Sequence, residues 1–142
     1  MDYLRAIEIS AAGMAAQQAR VEAATLNLAN MNTTAPRGGS GYQPVTAIIQ
    51  PVATSFSRAW DVGARAQIVP HAAVVPQTGV TPRAVYEPGH PDADSAGMVT
   101  YPGINHTQEM MTVMTALRAY EANLAALQAT KTLAIKSLEI GS

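Results

Sequence analysis

Residues 105–141 read NHTQEMMTVMTALRAYEANLAALQATKTLAIKSLEIG, and the spacing within them decides the architecture. Met110, Val113, Leu117, Tyr120, Leu124, Leu127, Lys131, Ala134 and Leu138 advance by alternating steps of three and four, which draws one stripe along an α-helix. Pro102-Gly103 breaks the chain before the stripe. Asn105 stands where an N-cap belongs, and Gly141 where a helix stops. A helix this long reaches about 50 Å, more than a small globule needs. The spacing therefore predicts a long helix that pairs with another.

The other end of the chain supplies a candidate partner. Ile7, Met14, Val21 and Leu28 recur at one heptad position, with Leu4, Ala11, Gln18 and Thr25 at the other. Gln18 and Thr25 weaken that second position, and Gly13 costs a helix about 1 kcal/mol relative to Ala. Asp2 is placed to complement the N-terminal dipole. All nine prolines lie between Pro36 and Pro102, and of the ten glycines only Gly13 and Gly141 lie outside residues 38–103. Proline is excluded from helix interiors, so the ends read as helices and the middle does not.

The middle carries short Val-, Ile- and Tyr-rich runs: Tyr42 to Ile49, Gln67 to Val69, Ala73 to Val75, Arg83 to Tyr86 and Met98 to Tyr101. Pro88-Gly89 and Ser95-Ala96-Gly97 punctuate them, and Arg37-Gly38-Gly39-Ser40-Gly41 reads as a flexible connector. These runs fit either a small β domain or hairpins draped along the helices. The expected fold class is α+β: long N- and C-terminal helices paired as a coiled-coil or helical bundle around a small Pro/Gly-rich β region. The expected divisions are residues 1–32, 33–104 and 105–142.

Composition narrows the function. The chain has 142 residues, 13% of them charged, with nine Lys and Arg against ten Asp and Glu for a net charge of −1. No stretch concentrates positive charge, which argues against a nucleic-acid groove or a polybasic membrane patch. There is no cysteine, which excludes disulfides, thiolate metal sites and thiol nucleophiles. Alanine supplies 27 of the apolar residues, against one Trp and one Phe. Such a core is thin in buried area, and a thin core is a reason to borrow burial from neighbours. No apolar run is long enough for a membrane span. Asp2 and Glu8 stand where a secretory signal would have a basic n-region and an apolar h-region, so no cleaved signal is expected.

Residues suited to chemistry do not converge. His71, His90 and His106 lie in separate stretches without an i, i+4 partner, and Asp92 and Asp94 lack the remaining ligands of a calcium loop. Ser40, Ser55, Ser57 and Ser95 have no nucleophile-elbow context, and the glycines at 38, 39 and 41 match no phosphate-loop spacing. Met110, Met111 and Met114 read as adaptable core packing and Trp60 as a satellite core residue or an interface anchor. No catalytic residue, cofactor, metal or small-molecule substrate is expected, and no enzymatic activity.

Ser10 to Gln17, Arg20-Val21 and Ala24-Thr25-Leu26-Asn27-Leu28-Ala29-Asn30 resemble the N-terminal signature of flagellar rod, hook and related axial proteins. Tyr86-Glu87-Pro88-Gly89-His90-Pro91-Asp92-Ala93-Asp94-Ser95-Ala96-Gly97-Met98-Val99 is more specific and resembles the proximal-rod family of the FlgC type. So do Glu109-Met110-Met111, Arg118-Ala119-Tyr120-Glu121-Ala122-Asn123, Lys131 and Leu138-Glu139-Ile140-Gly141. The resemblance implies a non-enzymatic subunit of the periplasm-spanning rod, the drive shaft of the basal body. It implies passage through the flagellar type III export apparatus without a cleaved signal, and self-association in a helical assembly. It also implies contacts with other rod proteins and with the adaptor at the membrane ring. The residues expected to form the assembly interface are Ile7, Met14, Val21, Asn27, Leu28, Asn30, Met110, Val113, Leu117, Arg118, Tyr120, Glu121, Leu124, Leu127 and Leu138. Asn27 and Asn30 read as helix-end and turn residues. Arg118 and Glu121 flank the Leu117/Tyr120 stripe, placed to bridge subunits. The alternative is a soluble helical-hairpin adaptor or export-associated binding protein that does not polymerise, which has no need of the stretch from Tyr86 to Val99.

Overall fold

A computed structural model of the chain describes residues 3–51 and 70–140. Helix α1 spans Tyr3–Asn30 and helix α2 spans His106–Ile140. Between them lie β1 (Val45–Pro51), β2 (Pro70–Pro76), β3 (Arg83–Tyr86) and β4 (Met98–Tyr101). The α+β layout expected from the sequence is the one observed.

The two helices pack antiparallel, since Asn27 near the end of α1 bonds Glu109 near the start of α2, and Gly13 meets Asn123 farther along. The seam between them differs from the expected one. The buried residues of α1 are Ala12, Ala16, Ala23, Ala24 and Asn27, whereas Ala11, Gln18 and Thr25 are exposed. Ile7, Met14, Val21 and Leu28 are half-buried at its margin. On α2 the pairing face is Val113, Ala116, Ala119, Asn123 and Leu127, with Ala116 fully inside. Small side chains let the two backbones approach closely. At Gly13 a Cβ would lie 2.9 Å from the Asn123 amide nitrogen, which accounts for a glycine inside a helix. The Met110, Met111 and Met114 side chains, expected in the core, are exposed instead.

The helix ends follow the sequence signals. Asn105 Oδ1 accepts hydrogen bonds from the Thr107 and Gln108 amides at 3.0 and 3.2 Å, an N-cap. Past Asn30, the Thr33 amide donates to the Asn30 carbonyl at 3.0 Å and turns the chain out of the helix. The residues named at Asp2 and Gly141 lie outside the described residues.

Among the described residues, the middle forms two separate two-stranded antiparallel sheets. β1 pairs with β2 from Val45↔Pro76 to Pro51↔Pro70 and packs on α1. Prolines close both ends of this ladder, as the lost donors require. β1 starts later than Tyr42, because Tyr42 and Pro44 lead into the strand, and the Ala73–Val75 run lengthens into β2. Gln67 to Val69, Ser55, Ser57 and Trp60 lie outside the described residues. β3 and β4 match their expected bounds and pair from Arg83↔Tyr101 to Tyr86↔Met98. There the Arg83 guanidinium sits 5.4 Å from the centre of the Tyr101 ring, and Val99 is fully buried.

Candidate assembly surface

The β3–β4 connection is clamped onto the chain leaving α1. Asp94 Oδ1 accepts from the amides of Ala96 and Met98 at 2.8 and 2.9 Å, and Gly97 takes a φ of 76° to close the turn. Asp92 accepts from the Thr34 hydroxyl, the Arg37 Nε–H donates to the Ala93 carbonyl at 2.6 Å, and the Ala35 amide donates to the Thr100 carbonyl at 3.0 Å. Residues 34–37 are thus tied down at one end of the connector expected to be flexible. The stretch from Tyr86 to Val99 is this clamped hairpin. Its polar residues serve the turn: His90 Nδ1 accepts from the Asp92 amide at 3.1 Å. His106 is exposed at the start of α2, and Ser95 is exposed in the turn.

Asn27 holds the three parts of the fold together. It is 1% exposed and uses its whole amide. Its Nδ2 donates to the Val45 carbonyl at 2.8 Å and to Glu109 Oε1 at 3.2 Å. Its Oδ1 accepts from the Val45 amide at 2.9 Å and from the Tyr42 hydroxyl at 3.1 Å. By bonding both the N–H and the C=O of Val45, the side chain continues the ladder at the outer edge of β1. Asn27, in the last turn of α1, is therefore an interior hub and not only a helix-end residue. Asn30 does lie at the helix end, with its Nδ2 donating to the Leu26 carbonyl at 2.9 Å. Burial pushes the Glu109 carboxyl above its ordinary range, and the Asn27 bond offsets part of that rise. Burial and the neighbouring Glu109 charge raise the Tyr42 phenol as well.

Most large apolar side chains of α2 lie outside the seam with α1. Met110, Met114, Leu117, Tyr120, Leu124 and Leu138 are all exposed and share one ridge, Leu124 at 38% and Leu138 at 75%. Val113 and Leu127 lie half-buried where this ridge borders the pairing seam, and Arg118 and Glu121 are exposed beside it. Of the expected interface residues, most of those on α2 are exposed, Val113 and Leu127 border the seam, Ile7, Met14, Val21 and Leu28 lie along the margin of the helix pair, and Asn27 is interior. Glu109, Tyr42 and Asn123 are named in the sequence reading, but their roles at the helix pair are not legible there, because each answers to a partner distant in the chain.

Comparison with known proteins matches both ends of the fold. Residues 7–37 match the family described as "Flagella basal body rod protein" and residues 95–140 the family described as "Flagellar basal body rod FlgEFG protein C-terminal". The chain is 30% identical over 149 residues to the flagellar basal-body rod protein FlgC of Bacillus subtilis, covering 99% of both chains. It is 31% identical over 141 residues to FlgC of Salmonella typhimurium, again covering 99% of both. With FlgC of Aquifex aeolicus it shares 33% identity over 139 residues, 98% of this chain and 97% of that one. An antiparallel helix pair carrying an outward apolar ridge, a clamped Tyr86–Val99 hairpin and end-to-end similarity of this kind have one reading: the chain belongs to the FlgC family of flagellar basal-body rod proteins.

Proposed function

We propose that this chain is a structural subunit of the proximal part of the flagellar rod, without enzymatic activity, and that its terminal helices pack into a helical assembly. The observation that carries this reading is the ridge of α2, whose large side chains keep between 37% and 75% of their surface exposed in one subunit. A rod supplies partners for them. Contacts between unlike faces repeat without closing and build a helical array. Neighbouring rod proteins, the membrane-ring adaptor and further copies are the partners such a place in the structure provides. Transit through the type III export apparatus without a cleaved signal fits the same reading, as does a rod that spans the periplasm. The non-polymerising adaptor is disfavoured, because similarity to rod proteins runs through the whole chain and not only its helical ends.

Leu124→Asp tests this. The residue is 38% exposed in the subunit and lies outside the pairing face, and circular dichroism of the purified variant checks that the fold is kept. Against a neighbour it buries an unpaired carboxylate at a cost of several kcal/mol. The expected strain is non-motile, exports the subunit and lacks it in purified basal bodies. A motile strain with the variant in its rods would contradict the reading.

A further inference from the structure

The first turns of α2 hold Met110, Met111 and Met114, three of the chain's seven methionines. All three are exposed, with Met111 keeping 57% and Met114 61% of its surface. Met114 stands at i+4 from Met110 and i+3 from Met111, so the three side chains share one patch of the helix surface. Core packing, the usual use of methionine at helical spacing, does not account for them. Met14, Met31 and Met98 differ, because each is half-buried. The patch lies at the end of α2 where Asn27 bonds both Glu109 and Val45. Pro51 and Pro70, the described residues on either side of 52–69, lie about 20 Å from Val45 along the β1–β2 ladder.

An exposed thioether reacts with peroxides. Its sulfur lone pair attacks one peroxide oxygen, and the O–O bond breaks as the S–O bond forms. The departing hydroxide takes the proton of the transferred oxygen and leaves as water. Sulfur gives up two electrons, which the peroxide takes, and a flexible apolar side chain becomes a dipolar sulfoxide. That group needs a hydrogen-bond donor wherever it is buried. The threonine hydroxyls in the same turns are already committed: Thr112 donates to the Gln108 carbonyl at 3.0 Å and Thr115 to the Met111 carbonyl at 2.7 Å.

We propose that Met111 and Met114, with Met110 beside them, form an oxidation site for peroxides on the unassembled subunit, and that the sulfoxides keep the chain out of the rod. The site stands on the exposure of the three side chains, whereas its consequence rests on the rod-subunit reading. Met110 and Met114 belong to the exposed ridge, so oxidation puts an unpaired dipole where a neighbour needs apolar contact. Assembly in turn covers these thioethers, and a subunit already in the rod is protected.

The site is tested on the purified subunit with hydrogen peroxide, reading oxygen uptake at each methionine by peptide mass spectrometry. Uptake is expected to be several-fold faster at Met111 and Met114 than at Met14, Met31 and Met98. Equal rates, or faster uptake at the half-buried three, would overturn the proposal. The consequence is tested in cells that co-express, under distinct tags, the unaltered chain and a copy carrying Met110→Leu, Met111→Leu and Met114→Leu. Leucine keeps the size and apolar character of methionine and takes up no oxygen. After a peroxide pulse during rod growth, the unaltered copy is expected to fall several-fold relative to the leucine copy in purified basal bodies. An unchanged ratio would overturn the consequence, as would sulfoxide at Met111 and Met114 as frequent in the rod as in the free pool. Met114→Gln, a neutral polar stand-in for the sulfoxide, gives a reading that needs no peroxide: it is expected to be exported and missing from basal bodies, and its presence there in normal amount would overturn the same step. Absence of the unaltered chain from the basal bodies of untreated cells would contradict the rod reading instead, and the selectivity seen in the purified subunit would be unaffected.

Discussion

Asn27 shows what a single side chain contributes to this fold. Its four hydrogen bonds join α1 to β1, to Tyr42 and to α2. The Asn-Leu-Ala-Asn run is conspicuous in the sequence, but the role of its first member was not legible there. The partners stand 15 to 82 residues away, and neither propensity nor spacing carries that information. Glu109, one of those partners, makes a testable contribution. A carboxyl whose pKa is higher in the fold than in the unfolded chain binds its proton more tightly in the fold. Its stabilising effect is therefore complete below the unfolded value and is lost as pH rises through the folded one. For Glu109 that window opens at about 4.5 and extends upward. Glu109→Gln removes the titration while keeping an oxygen for Asn27. Melting temperature across this window is expected to fall more steeply with pH for the wild type than for the variant. Parallel curves would show that Glu109 is solvated in the free subunit.

The element scale holds the main difference between spacing and packing. The long helices, their approximate bounds and the Asn105 cap are legible, because helix periodicity and proline exclusion act locally. The register of the helix pair is not. Reading by size selects Leu117, Tyr120 and Leu124, since large side chains hold most of the transfer free energy. The helices meet one residue over, through Ala116, Ala119 and Asn123, where small groups allow close approach. Both stripes have the same period, so period alone does not choose between them. Gly13 is the point at which the choice is enforced, with the Asn123 amide filling the space a Cβ would take. Gly13→Val is expected to destabilise the subunit by about 2 kcal/mol through overpacking. Adding Asn123→Ala should recover part of that loss, read as coupling in a double-mutant cycle of denaturant unfolding. Additive effects would place the two residues apart.

For the whole molecule, an alanine-lined seam and an outward ridge of larger residues divide the labour. The seam sets the shape of one subunit, and in the proposed function the ridge meets its neighbours. Closing a connection of about 70 residues costs entropy that a thin seam repays only in part, so assembly is where this chain gains the rest of its burial. Composition already pointed that way through 27 alanines and two large aromatic side chains of the Trp and Phe type. The sequence names Leu117, Tyr120 and Leu124 for the interface, and in the structure these side chains keep 48%, 37% and 38% of their surface exposed. Cryo-electron microscopy of purified basal bodies, at a resolution that separates side chains, tests this most directly. The account predicts density for this chain in the proximal rod, with Leu117, Tyr120 and Leu124 packed against adjacent subunits. A rod in which these three side chains face open solvent, or one that lacks this chain, would contradict it.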